Sequence, residues 1–172
     1  MQGLDDEQFA DFVAARSHAL LRTAYLLTGD QHLAEDLVQT ALEKAATHWG
    51  SIRVAAAAEA YVRRTMYREQ VTLWRRRRLT ELPVSEIPEQ HRPGAADDTA
   101  EDRMVLRDAL MTLGRRQRTV LVLRYFEDLT EQQVADALGV SLGTVKSTAH
   151  KALTRLRELC GEHAPATGGE VA

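Results

Sequence analysis

The chain has 172 residues, 44% hydrophobic but only 5% aromatic, which leaves room for one ordinary domain or two small ones packed mainly from aliphatic side chains. No apolar stretch approaches the roughly 20 residues needed to cross a bilayer. The single cysteine, Cys160, excludes an internal disulfide, and the opening MQGLDDEQF is acidic where a signal peptide is basic and then apolar, so a cytoplasmic chain is expected. The net charge of −3 is unevenly laid out. Residues 1–52 hold 3 Lys/Arg against 8 Asp/Glu, residues 53–78 hold 8 against 2, residues 79–103 hold 2 against 7, and the remainder hold 9 against 8. A local patch sets the electrostatic footprint on a polyanion, and this chain concentrates its cations in one segment of 26 residues.

In chain order, Phe9, Val13, Leu20, Ala24 and Leu27 keep near-helical spacing, and Gly29 followed by Asp30 supplies a stop and then an N-cap. A second helix follows from Asp30, with Leu33, Leu37, Ala41 and Ala45 on one stripe and Asp36, Gln39 and Glu43 facing elsewhere, until Gly50 breaks it. The spacing of Val62, Met66 and Leu73, in a stretch free of Gly and Pro, predicts a third helix from about Ala57 to Arg78. Three amphipathic helices with short connections make a small bundle over residues 1–78.

Residues 79–103 contain three of the four prolines (Pro83, Pro88 and Pro93) and a surplus of acids, which is the composition of a flexible linker. Extended, it reaches on the order of 80 Å, enough to hold two DNA-reading domains about two helical turns apart. The second domain, residues 104–160, begins with helices predicted over Met104–Leu113 and Arg115–Phe126. The sequence TEQQVADALGVSLGTVKSTAHKALTRLREL then reads as a helix-turn-helix. Thr130 and Gln133 make a capping box, and Val134, Ala135 and Leu138 form an inner face. Gly139 stands where a left-handed backbone is wanted, Val140 plugs the angle, and Ser141 caps the next helix. In that helix Val145, Ala149, Ala152, Leu153 and Leu156 point inward. Thr144, Lys146, Ser147, His150 and Lys151 are left free to enter a major groove. The tail, residues 161–172, has disordered composition.

In the third helix Tyr61, Arg64, Arg68 and Arg75 fall on one face, flanked by Tyr67 and Trp74, and Arg75, Arg76, Arg77 and Arg78 close the helix. Cations that neutralise phosphates and rings that stack on unpaired bases suit opened DNA. A lone aromatic in a small bundle, Tyr61 or Trp74, equally suits the core.

The segments RTAYLLTGD (Arg22 to Asp30), AEDLVQ (Ala34 to Gln39), AYVRR (Ala60 to Arg64) and GVSLGTVKS (Gly139 to Ser147) stand in an order and spacing similar to the group 4, extracytoplasmic-function (ECF) sigma factors of the sigma-70 family, and to their actinobacterial SigE-like subset. The resemblance covers roughly residues 8–160. It implies an all-α fold of two small helical domains, a three- to four-helix region 2 bundle and a four-helix region 4 domain with a helix-turn-helix. The first domain is then expected to bind the RNA polymerase core and to recognise and melt the minus-10 element. The second is expected to bind minus-35 duplex.

The resemblance assigns Asp36, Gln39 and Glu43 to the clamp coiled coil of the beta-prime subunit, and Tyr61, Arg64, Arg68, Trp74 and Arg75 to Arg78 to minus-10 DNA. Thr144, Lys146, Ser147, His150 and Lys151 are assigned to minus-35 DNA. The beta flap and an anti-sigma factor are further partners it implies, with no cofactor and no metal. The chain departs from the family where Thr65, Met66, Tyr67 and Arg68 replace a common Ile-Ala-Arg-Asn stretch. It departs again where Lys146, Thr148 and Lys151 stand in place of frequent arginines, and an ammonium lacks the guanidinium fork.

No catalytic residue is expected. Cys160 and His163 offer two ligands where structural zinc wants four, Glu35 and Asp36 point to different parts of a helix surface, and no nucleophile or phosphate-binding glycine motif is present. The competing reading is a stand-alone operator-binding regulator whose N-terminal bundle dimerises or senses a ligand. It accounts for residues 104–160 but not for the arginine-rich helix.

Overall fold

The structure is a computed structural model and describes residues 6–52, 54–80 and 98–161. Seven α-helices are found among the described residues: α1 (Asp6–Thr28), α2 (Gln31–His48), α3 (Ala55–Thr80), α4 (Asp98–Thr112), α5 (Arg115–Leu121), α6 (Glu131–Leu138) and α7 (Leu142–Gly161). The all-α expectation holds. Most of residues 79–103, and the tail from residue 162, lie outside the described residues.

The helices end where local chemistry stops them. Gly29, at φ +74°, terminates α1 in the left-handed region that glycine enters without steric penalty. Asp30 then caps α2 by accepting from the Leu33 N–H at 2.8 Å. Past α2 the chain tightens into a 3₁₀ turn, Trp49–Ser51, which buries Trp49 edge-on against Phe9 at 4.9 Å and beside Phe12 at 5.3 Å. Leu20, Ala24 and Leu27 of α1, Leu37, Ala41 and Ala45 of α2, and Val62 and Met66 of α3 form the centre of the bundle, all essentially inaccessible to solvent.

Two boundaries differ from the sequence expectation. The helix expected to begin at Met104 begins at Asp98, inside the stretch assigned to the linker. The run DDTAED after Pro93 contains no breaker, and acids in a first turn offset the positive end of the helix dipole. The helix expected over Arg115–Phe126 keeps α geometry only to Leu121, and Val122–Phe126 is a π turn. The ladder widens there, with the Glu127 N–H donating to Val122 O at 2.9 Å and the Leu129 N–H to Leu123 O at 3.0 Å. Asp128 follows at φ +54°, a conformation that aspartate tolerates better than most residues. The widened turn exposes Tyr125 and Phe126 and carries Glu127 round toward the first domain.

The helix-turn-helix forms as its sequence specifies. Thr130 accepts from the Gln133 N–H at 3.2 Å, and the Gln133 side chain accepts from the Thr130 N–H at 2.8 Å. Gly139 turns at φ +64°, and the Val140 N–H closes on Ala135 O at 3.1 Å. Ser141 accepts from the Thr144 N–H at 3.1 Å to start α7.

The two domains are docked. Val120, Val122 and Leu123 of the α5 segment, with Val134, Ala135 and Leu138 of α6, belong to the same continuous apolar core as the bundle. A smaller cluster of Leu113, Leu121 and Ala152 ties α5 to α7. Arg118, 5% exposed, reaches from α5 to the C-terminal carbonyls of α1 and donates to Thr28 O at 3.1 Å and Leu27 O at 3.3 Å. A Cβ on Gly29 would stand 3.3 Å from that guanidinium and 3.1 Å from Met111 Sδ, so the glycine also admits the close approach of α4 and α5.

Candidate nucleic-acid interface

The residues of α7 expected to meet DNA differ in exposure. Lys146, Ser147, His150 and Lys151 are exposed on the N-terminal half of α7, and Val145, Ala149 and Ala152 beneath them are buried. Thr144 is half-buried, its hydroxyl 2.8 Å from that of Ser141, so part of its capacity serves the cap. The Ser147 hydroxyl donates to Thr144 O at 3.2 Å. The Lys146 ammonium lies 3.9 Å from Glu131, a loose and solvated contact that a phosphate can replace.

On α3, Arg64, Arg68, Arg75 and Arg76 are exposed. Tyr61 is half-buried, its ring tilted over that of His48 at 5.8 Å. The side chains of Trp74, Arg77 and Arg78 lie outside the described residues. Tyr67, read from the sequence as flanking the cationic face, is instead only 4% exposed and faces the second domain. Its position, three residues from Arg64 and one from Arg68, did not reveal that its side of the helix is covered.

That covered side carries a charged cluster absent from the sequence reading. Glu127, its side chain 7% exposed, accepts from Arg63 Nη1 at 2.5 Å and from the Tyr67 hydroxyl at 2.7 Å on one oxygen. Its other oxygen accepts from the Thr23 hydroxyl at 2.7 Å. Glu59 accepts from Arg63 at 3.0 and 3.1 Å and pairs with Arg16 at 3.3 Å, so the chain of charges runs Arg16, Glu59, Arg63, Glu127. Burial works against the Arg63 charge, but Glu127 and Glu59 outweigh it and raise its pKa. Burial, then the Glu127 carboxylate, pushes the Tyr67 phenol up as well. Both groups therefore stay protonated, as donors, throughout the physiological range. Arg107 adds a further bridge, donating to the Tyr25 hydroxyl at 2.6 Å with its guanidinium 4.7 Å from the ring centre.

Asp36, Gln39 and Glu43 are exposed on α2, with Gln39 donating to Glu43 at 3.0 Å. Beside them an open groove of about 440 Å³ runs between α1 and α2, floored by Phe9, Val13, Leu21, Val38 and Leu42. Phe9 and Val13, read from the sequence as part of the core stripe, are half-buried and line this groove. No helix among the described residues is long and apolar enough to cross a membrane.

Comparison with known proteins places this geometry. Residues 12–80 match the family model described as Sigma-70 region 2, and residues 109–158 match Sigma-70, region 4. The chain is 44% identical over 151 residues to the RNA polymerase sigma-E factor of Streptomyces coelicolor, spanning 88% of this chain and 85% of that protein. It is 35% identical over 162 residues to the ECF RNA polymerase sigma factor SigL of Mycobacterium tuberculosis, spanning 91% and 86%. Among solved structures it is similar to the sigma factor RpoE of Bartonella quintana, determined in complex with the anti-sigma factor NepR. The TM-score is 0.64 and the identity 25%, with 90% of this chain and 98% of that one covered.

Proposed function

The chain belongs to the sigma-70 family, and from that premise we propose how its surfaces share the work of a sigma factor that directs promoter-specific transcription initiation by RNA polymerase. The acidic and amide side of α2, at Asp36, Gln39 and Glu43, docks on the clamp coiled coil of the beta-prime subunit, and the adjoining apolar groove takes an aliphatic or aromatic side chain of that partner. A carboxylate rim around an apolar floor suits a basic amphipathic helix. The cationic side of α3, with Tyr61, Arg64, Arg68, Trp74 and Arg75 to Arg78, tracks the opened minus-10 strand. Thr144, Lys146, Ser147, His150 and Lys151 of α7 meet minus-35 duplex, and the second domain also contacts the beta flap. The protein works in the cytoplasm and catalyses nothing itself, and an anti-sigma factor is a further partner.

The observation that carries this assignment is the recognition helix. Its polar side chains are exposed over a buried apolar underside, at the angle set by the left-handed Gly139. The test is run-off transcription with purified core polymerase. Alone, the protein should bind promoter duplex weakly, and with core it should give a discrete start site. Tight operator binding without polymerase, and no initiation with it, would establish the stand-alone regulator instead.

A further inference from the structure

Leu142 is a large apolar side chain left 37% exposed at the start of α7, while its neighbours Val140 and Val145 join the apolar core. Its place on the helix is with the polar residues. Leu142, Lys146 and His150 follow at intervals of four and all three are exposed, as are Gly143, Ser147 and Lys151 beside them. Leu142 therefore stands at the leading end of the stripe that meets minus-35 duplex in the function proposed above. Next to it, Gly143 is a poorer helix former than any residue but proline. A Cβ there would stand 3.9 Å from Ser141 Oγ, an ordinary contact, so the packing of the domain does not call for glycine.

We propose that Leu142 reads the C5 methyl of a thymine in the minus-35 element, and that Gly143 positions it by letting the end of α7 approach the floor of the major groove. A leucine has nothing to offer a phosphate oxygen or a base-edge donor. The thymine methyl is the apolar group of the major groove, and no other base carries it. A bare α-carbon beside the leucine is what allows the backbone a close approach. The spacing also sets a register. Leu142 and Lys146 are one turn apart, about 6 Å along the helix axis. Bases follow at about 3.4 Å along each strand, so the thymine lies within about two steps of the group that Lys146 contacts. Lysines supply charge, which carries no sequence information where it meets phosphate. Leu142 supplies discrimination without charge.

The proposal rests on α7 reading duplex, and the test uses the full-length protein with core polymerase on the promoter that this holoenzyme selects. Each thymine of the minus-35 element, on either strand, is replaced in turn by deoxyuridine, which removes the methyl and nothing else. One replacement should weaken binding by roughly four-fold, the equivalent of about 0.8 kcal/mol for one buried methyl-sized group. L142A should lose at least that factor on the thymine duplex and be indifferent to the same uracil. It should also keep the wild-type slope of log affinity against log salt, because no charge is removed. G143A should bind more weakly and lose the uracil effect, with a Tm no lower than that of the wild type.

A wild type indifferent to every uracil overturns the proposal without any variant. So does an L142A that keeps the uracil penalty, or a G143A that binds as the wild type does. If core polymerase gives no discrete promoter, the sigma reading fails, and the same scan on the duplex that the protein binds alone decides the role of Leu142. A protein that selects no duplex in either setting overturns both readings.

Discussion

Replacing Arg118 by Met tests whether docking is part of the fold. The guanidinium is buried against the C-terminus of α1, where unsatisfied carbonyls carry the negative end of the helix dipole. Leu27 O keeps a second donor, Gln70 Nε2 at 3.1 Å, so the group left exposed to loss is Thr28 O. A buried carbonyl stripped of a charged donor costs about 1.5–3 kcal/mol, and the helix-end charge contributes up to about 2 kcal/mol in buried geometry. The two overlap, and methionine returns part of the desolvation of the cation while filling similar volume. The net loss expected is about 2–3 kcal/mol, or about 5–10 °C in Tm for a chain of this size. Arg118→Lys should lose roughly half as much, because one ammonium keeps the charge at the end of α1 but cannot also replace the Nη1 bond to Met111 O at 3.4 Å. The measurement is urea unfolding followed by tryptophan fluorescence and by far-UV circular dichroism. Both tryptophans, Trp49 and Trp74, lie in the first domain, so fluorescence reports a domain that does not contain residue 118. A fluorescence midpoint that stays put while the helical signal shifts would refute the coupling, as would a total loss under about 0.5 kcal/mol.

Three other outcomes are expected. Lys146→Ala with Lys151→Ala should weaken binding to minus-35 duplex and reduce the slope of log affinity against log salt by up to about 1.8, while core binding measured by gel filtration is unchanged; equal loss of both activities would indicate misfolding. Alanine at Arg75, Arg76, Arg77 and Arg78 should lower open-complex formation, read by permanganate reactivity of unpaired thymines, and flatten its salt dependence; an unaltered salt profile would remove those arginines from the DNA path. Thr130→Ala removes one half of the capping box seen at 3.2 and 2.8 Å and should cost about 1 kcal/mol in chemical denaturation, with no change in the salt slope of DNA binding.

What was legible in the sequence is what depends on neighbours within a turn or two. The Asp30 cap, the Thr130 and Gln133 box and the left-handed Gly139 need only residues three or four positions apart, and each formed as the local pattern required. The helix-turn-helix was therefore readable in detail, down to which side of α7 is buried. Docking was not. Thr23 and Glu127 are 104 positions apart and Arg63 and Glu127 are 64 apart, and no periodicity records a partner at such a distance. The π turn was hidden for a related reason, since its widened ladder answers to where Glu127 must go and not to a local breaker.

The same distinction explains the unequal clarity of the two proposed nucleic-acid surfaces. On α7 Lys146, Ser147, His150 and Lys151 are all exposed, so helical spacing alone separates inside from outside. On α3 every side of the helix is contested. Val62 and Met66 enter the bundle, Arg63 and Tyr67 meet the second domain, and Arg64 and Arg68 meet solvent. Two adjacent arginines in AYVRR thus have opposite fates, one closing an ion pair and one left exposed to solvent. Residue type cannot separate them; only the position of Glu127 does. The arginine count of α3 consequently overstates the cations it presents to solvent, because Arg63 is held by Glu127 and Glu59.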